Sequence, residues 1–156
     1  MEKERPTLGT LLRHALDLLD GDVQRAYDAD GLDYRPRYTP IVRVLFSHGE
    51  QSIRAISREA GMTHSAVSQT VAQMVKTGLV SIRPGDDGRE RIVAATDRLG
   101  SMRTALEKRW RATNAAAEAL NAELSCPLDT VICEAIAALE RQPFLDRIMA
   151  QSSRVE

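Results

Sequence analysis

The run Ser52-Ile53-Arg54-Ala55-Ile56-Ser57-Arg58-Glu59-Ala60-Gly61-Met62-Thr63, continuing into His64-Ser65-Ala66-Val67-Ser68-Gln69-Thr70-Val71-Ala72-Gln73-Met74-Val75-Lys76, decides the fold. It divides into a helix ending at Ala60, a tight turn at Gly61-Met62-Thr63, and a second helix from His64 to Lys76, which is the spacing of a helix-turn-helix. Glycine supplies the positive φ needed where one helix stops and the chain turns steeply, and Ser52 and Thr63 carry hydroxyls suited to capping the two helices. On the second helix Val67, Val71, Met74 and Val75 share one side, predicted to pack on Ile53, Ile56 and Leu79. The other side presents His64, Ser65, Ser68, Gln69, Gln73 and Lys76. Hydroxyls suit phosphate contacts, a glutamine such as Gln69 can pair bidentately with adenine, and Lys76 can reach a phosphate. An ordinary solvated helix face has a similar composition, so the residues beyond Lys76 decide between the two.

Gly78 can stop the second helix. Leu79-Val80-Ser81-Ile82-Arg83 and Glu90-Arg91-Ile92-Val93-Ala94-Ala95 then flank Pro84-Gly85-Asp86-Asp87-Gly88-Arg89, which predicts a β-hairpin. A hairpin placed directly after a helix-turn-helix makes a winged helix, an arrangement that binds DNA with the second helix in the major groove and the wing against the backbone or minor groove. Arg89 at the tip is the candidate for the minor groove, where narrow tracts concentrate negative potential. Arg83 and Arg91 lie on the flanking strands, and Asp87 is placed to orient Arg89 or the turn amides; a plain charged turn is the alternative.

From Tyr38 to Gly100 these residues resemble the MarR family of bacterial transcription regulators. The resemblance is carried by the helix-turn-helix at Ile53 to Lys76, Gly78-Leu79-Val80 leading into the wing, Asp87-x-Arg89 at its tip and Thr96 nine residues after Asp87. It implies a mainly α fold with a small β-hairpin wing and terminal dimerisation helices. It also implies a homodimer on pseudo-palindromic double-stranded DNA, often released by a small-molecule effector or by oxidation. The entry into the next helix, Thr96-Asp97-Arg98-Leu99-Gly100, leaves Thr96 or Asp97 as its cap, and Gln69 stands where the family frequently has arginine.

The chain has 156 residues, 43% hydrophobic and 28% charged, the balance of a globular protein of one domain, or one domain with a dimerisation extension. A net charge of −1 argues against nucleic acid. Its distribution argues the other way, since between Arg35 and Arg98 ten basic side chains stand against six carboxylates. No apolar run approaches the roughly 18 residues of a membrane span, and Met1-Glu2-Lys3-Glu4-Arg5 lacks the form of a secretory signal, so no membrane association and a cytoplasmic location are expected.

Upstream, Leu8, Leu11, Leu12, Ala15, Leu16, Leu19 and Val23 recur at three and four, predicting a helix from Pro6 to about Asp30 that Gly21 interrupts and can bend. Its stripe is wide for a helix with one neighbour. The segment from Gly31 to Pro40 is a linker with turn residues and two prolines, and its Thr39 and Pro40 are positioned as cap and first residue of a helix through Phe46. Downstream, Leu99, Met102, Leu106, Trp110, Thr113, Ala117, Leu120 and Leu124 predict a helix of roughly 40 Å, longer than the winged region can cover and so a dimer element. Two more helices come after Ser125-Cys126-Pro127 and Gln142-Pro143. The expected organisation is 1–38 for an N-terminal dimerisation helix and linker, 39–96 for the winged helix-turn-helix, and 97–156 for C-terminal dimerisation helices.

Other chemistry is sparse. There is no glycine-rich phosphate loop, no nucleophile-base pair and no metal-ligand spacing, so neither an enzyme nor a cofactor or metal is expected. His48 and His64 stand far from any cysteine or acid cluster in sequence. Cys126 and Cys133, seven apart, read as buried structural thiols rather than a redox pair. His14, Tyr34, Tyr38 and Trp110 are candidates for an effector pocket, with simple packing as the alternative for the aromatics and a surface position for His14. The expected function is a dimeric, sequence-specific transcription regulator, a repressor in sense. Ser65, Ser68 and Gln69 would face the major groove, Arg89 the minor groove, and Arg54, Lys76 and Arg91 the phosphates. Thr63, His64, Gln73 and Arg83 complete the DNA-facing set. The alternative is a protein-interaction module that kept the winged fold without binding DNA, favoured by the weak net charge and the arginine-poor second helix.

Overall fold

The computed structural model describes residues 5–86 and 88–155. The elements in chain order are α1 (Leu8–Ala29), α2 (Thr39–His48), β1 (Gln51–Ser52), α3 (Ile53–Ala60), α4 (His64–Lys76), β2 (Val80–Pro84), β3 (Arg91–Ala95), α5 (Asp97–Glu123), α6 (Leu128–Arg141) and α7 (Phe144–Val155), with a 3-10 turn at Pro36–Tyr38 before α2. The chain forms two compact units, Met1–Trp110 and Arg111–Glu156.

Within the first unit the helix-turn-helix is set by local chemistry. The Ser52 hydroxyl accepts the Ala55 amide at 3.2 Å and starts α3. Gly61, at φ +63°, ends it in the left-handed region that disfavours any side chain. The turn is closed by the Ser57 hydroxyl donating to the Met62 carbonyl at 2.6 Å, and Thr63 accepts the Ala66 amide at 3.1 Å to cap α4. Gly78, at φ +71°, ends the other side, with the Leu79 amide donating back to Met74 at 2.9 Å as in a Schellman closure.

The wing is antiparallel, with Val80 opposite Ala95 and Pro84 opposite Arg91. Proline at the last position of β2 sits where loss of its amide does least to the ladder. A third strand that the sequence pattern does not announce completes the sheet in the order β1-β3-β2, with Gln51 opposite Val93 and Ser52 opposite Ile92. Two residues are too short for a periodicity to show.

The core gathers Ile41, Val42 and Leu45 of α2, Ile53 and Ile56 of α3, Val67, Val71 and Met74 of α4, Leu79, Val93, and Leu99, Leu106 and Trp110 of α5. Val75 does not join it and is 40% exposed, whereas Thr70 is buried. Buried positions 67, 70, 71 and 74 are spaced three and four apart on one turn-to-turn stripe, and 75 lies past its edge.

Three tyrosines fill the space between α1 and α2. Tyr27, Tyr34 and Tyr38 are each at most 2% exposed, with Tyr34 edge-on to both others at centroid distances of 4.9 and 5.6 Å. The Tyr34 hydroxyl donates to the Thr39 hydroxyl at 3.4 Å, which also meets the Tyr27 hydroxyl at 3.3 Å. Thr39 therefore serves the tyrosines as the first residue of α2 instead of capping it. Trp110 donates its indole N–H to Tyr27 at 3.1 Å, tying α5 to α1. At the start of α5 the Thr96 hydroxyl accepts the Leu99 amide and lies within 2.7 Å of the Gly78 carbonyl, so Thr96, not Asp97, is the cap.

Helix α1 runs unbroken through Gly21 and buries only Tyr27, leaving Leu8, Leu11, Leu12, Leu16, Leu18 and Leu19 exposed. In the second unit α6 buries no residue, and Val131, Ile136, Leu139, Phe144, Leu145, Ile148 and Met149 are exposed. Cys126 and Cys133 are exposed too, correcting the expectation of buried thiols: Cys133 sits on α6, which buries no residue, and Cys126 in the bend between α5 and α6. Among the described residues no helix is long and apolar enough to cross a membrane, and no His, Cys, Asp and Glu side chains cluster with metal-binding spacing.

Candidate nucleic-acid interface

Helix α4 turns about 100° per residue, which places Ser65, Gln69, Ala72 and Lys76 at the centre of its exposed arc, opposite the buried stripe. His64 and Ser68 lie on one flank and Gln73 on the other. The His64 flank faces the wing across a cleft of about 480 Å³ lined by Ser52, Ile53, Arg54, His64, Ser68, Arg89, Glu90 and Arg91. Five of the expected DNA-facing residues, from α3, α4 and the wing, thus converge on one concavity. Three guanidinium groups and one carboxylate give it a basic lining, the charge required beside a phosphate backbone.

The remaining candidates fall elsewhere. Thr63 is engaged as the cap of α4. Arg83 stands opposite Ile92 in the ladder, on the other face of the wing from Arg91, and pairs with Glu50 at 2.5 Å. The hydrogen bond and charge of Glu50 push the Arg83 pKa further up. That pair anchors the wing to the residue just before β1, so the structure gives Arg83 a positioning contact. Asp87 lies outside the described residues. Gln73 is half-buried and accepts a hydrogen bond from Arg37 of the 3-10 turn.

Two residues were not singled out by sequence. Ala72, exposed between Gln69 and Lys76, offers a methyl of the kind that contacts thymine. Arg37 reaches α4 across 36 positions of chain, a contact no local pattern contains.

Three of the effector candidates share one core cluster and the fourth lies apart. Tyr34 and Tyr38 are packed against each other, and Trp110, bonded to Tyr27 beside Tyr34, has its ring 6.1 Å from Phe46 and under the Arg43 guanidinium at 5.0 Å. His14 is exposed on α1. Two ion pairs fasten the α1–α2 linker to α5: Arg109 grips Asp30 with both nitrogens, at 2.6 and 2.7 Å, and Arg98 meets Asp33 at 2.8 Å while donating to the Thr77 carbonyl at 2.6 Å. The hydrogen bond from Arg109 holds the Asp30 carboxyl below the usual range.

A helix-turn-helix, a three-stranded sheet with its wing, and a basic cleft between them define a winged-helix protein. Residues 32–90 match the model of the MarR family. The structure is similar to the transcriptional regulator MOSR of M. tuberculosis solved in complex with DNA, at 18% identity and a TM-score of 0.67, covering 91% of this chain and 99% of that one. It is also similar to reduced AbfR bound to DNA, at 14% identity, TM-score 0.64 and 86% and 91% coverage. The third, PcaV of Streptomyces coelicolor in complex with its natural ligand, has 18% identity, TM-score 0.59 and 86% and 90% coverage. Identities at this level establish the fold alone. The MarR family model thus matches the segment holding the helix-turn-helix and most of the wing, and the fold is that of DNA-bound transcription regulators. No curated protein sequence matches the chain.

Proposed function

We propose that the chain is a homodimeric, sequence-specific DNA-binding transcription regulator. The observation that carries this is the cleft in which Arg54 of α3 and Arg89 and Arg91 of the wing meet His64 and Ser68 of α4. Helix α4 enters the major groove with Ser65, Gln69 and Ala72 toward base edges. Arg54, Arg91 and Lys76 hold phosphates, and Arg89 reaches the minor groove. MOSR and AbfR, whose fold this is, were solved with DNA.

The dimer rests on uncovered apolar surface. The leucine stripe of α1 and, separately, the apolar faces of α6 and α7 have no partner within their own units. Exposed apolar surface of this extent marks an interface, and a two-fold related copy is the simplest complement. Residues 1–38 and 97–156 are therefore assigned to dimerisation. Two copies of α4 would read half-sites about one helical turn apart. Repression is the assigned sense, because a dimer seated across its site excludes other proteins from it.

Two substitutions separate the roles. Arg89→Ala should weaken binding to a selected duplex and to random duplexes alike. Gln69→Ala should cost about 1–3 kcal/mol on the selected duplex and relax the preference at one base pair per half-site. Fluorescence anisotropy on both duplex pools measures this; equal and negligible losses for the two variants would contradict the assignment.

A further inference from the structure

Arg37 lies outside the helix-turn-helix, on the 3-10 turn at Pro36–Tyr38, yet one of its guanidinium nitrogens donates to Oε1 of Gln73 on α4. A guanidinium has donors and no acceptor, so this contact fixes which end of the Gln73 amide faces Arg37. The oxygen is engaged and the amino group is left to point elsewhere. We propose that Arg37 is a specificity-determining residue: by holding the Gln73 oxygen it biases Gln73 toward donating, and the Arg37–Gln73 pair selects an acceptor edge, guanine or thymine, over adenine. The inference rests on the DNA-binding role proposed above and adds a residue and a base preference to it.

A free glutamine recognises adenine by accepting from the exocyclic amino group and donating to N7. With a cation bonded to its oxygen, Gln73 has less accepting capacity, and the positive charge of Arg37 repels an incoming amino donor. Guanine offers O6 and N7, both acceptors, and thymine offers O4. The two N–H donors of Gln73 and the remaining donors of Arg37 match those edges.

Position also favours a base over a phosphate. Gln73 lies about 40° round α4 from Gln69, adjoining the central exposed arc and away from the wing cleft. Asp17 and Asp20 line the shallow cleft that Arg35, Pro36 and Arg37 share. The two carboxylates balance Arg35 and Arg37, so the cleft has no net positive charge to draw a phosphate. The Arg37 guanidinium is further restrained by its place 5.9 Å over the Tyr38 ring, whose side chain is buried.

The test selects a random duplex library with the full chain and with the variants Arg37→Ala, Arg37→Lys and Gln73→Ala, each first checked for unchanged thermal melting. The wild-type motif should contain one position per half-site enriched in guanine or thymine. That position alone should lose its preference, by about tenfold, in both Arg37→Ala and Gln73→Ala, with adenine rising in Arg37→Ala as the freed glutamine recovers its acceptor. Arg37→Lys keeps the charge and should retain part of the preference. An unchanged motif in Arg37→Ala would overturn the inference and leave the DNA-binding role standing. A uniform loss at every position would also overturn it, by making Arg37 a phosphate contact. If the wild type itself enriches no motif, the DNA-binding role fails first and this inference with it.

Discussion

Alanine at Arg54, Arg89 and Arg91 together is expected to lower affinity for duplex DNA at least about a hundredfold near 0.15 M salt while leaving the fold intact. The three side chains line one cleft beside α4, and each is exposed, so truncation removes charge without opening a cavity. Hydrogen bonds from charged donors contribute roughly 1.5–3 kcal/mol each, and three of them on each of two protomers would exceed the stated loss even with strong non-additivity. The salt dependence gives a second signature. Each phosphate contact removed should reduce the slope of log affinity against log salt by about 0.9; in the proposed dimer Arg54 and Arg91 would make four contacts, a reduction of roughly 4. Titrations at several salt concentrations read both quantities. An unchanged affinity and slope would mean that the cleft does not face DNA.

The largest effect on stability is expected from Tyr34→Ala, at about 3–5 kcal/mol. Tyr34 is 1% exposed and stands edge-on to Tyr27 and Tyr38, so its loss leaves a ring-sized void and removes two aromatic contacts. Chemical denaturation measures this, and a loss under about 1 kcal/mol would show that the tyrosine cluster is not a structural centre. The same residue sets an alkaline limit. Burial pushes the Tyr34 hydroxyl well above its ordinary value of 10.0. Below about pH 10 both states carry a neutral hydroxyl and the stability is fully present; above it the unfolded chain ionises while the folded one does not, so stability falls as pH rises. Tyr34→Phe should show a shallower loss between about pH 9 and about pH 11 than the wild type, with identical slopes contradicting the assignment.

The tyrosine cluster and the wing differ in how legible they are from sequence. The helix-turn-helix and the hairpin rest on short-range chemistry: Ser52 and Thr63 cap the residues three ahead of them, Gly61 and Gly78 adopt positive φ, and a β-branched run flanks a Pro/Gly/Asp turn. Periodicity also places Val67, Val71 and Met74 inward, and it errs at the margins of the stripe, where Val75 is exposed and Thr70 buried. What escapes is set by contacts across the chain. Thr39 has the position of a cap, but Tyr27 and Tyr34 take its hydroxyl. Gln51 and Ser52 become a strand only because β3 arrives beside them. Cys133 looks like a small apolar residue suited to an interior, but α6, which carries it, buries none of its side chains. For the interface, residue types identify Arg54, His64, Ser68, Arg89 and Arg91, and the fold brings them to one cleft. Arg83 has the same residue type and a different partner, Glu50, 33 positions away. Arg37 acquires its place beside Gln73 by the packing of the α1–α2 linker, which no spacing in the sequence records.

The central claim is specific binding of double-stranded DNA by two copies of the chain. Selection of a random duplex library by the purified wild-type protein at two salt concentrations, with the mass of the complex measured on the recovered duplex, tests it most directly. The predicted result is an inverted repeat with half-site centres about one helical turn apart, weaker retention at the higher salt, and two protein chains per duplex. No retained duplex at either salt, or retention without any enriched sequence, would contradict it.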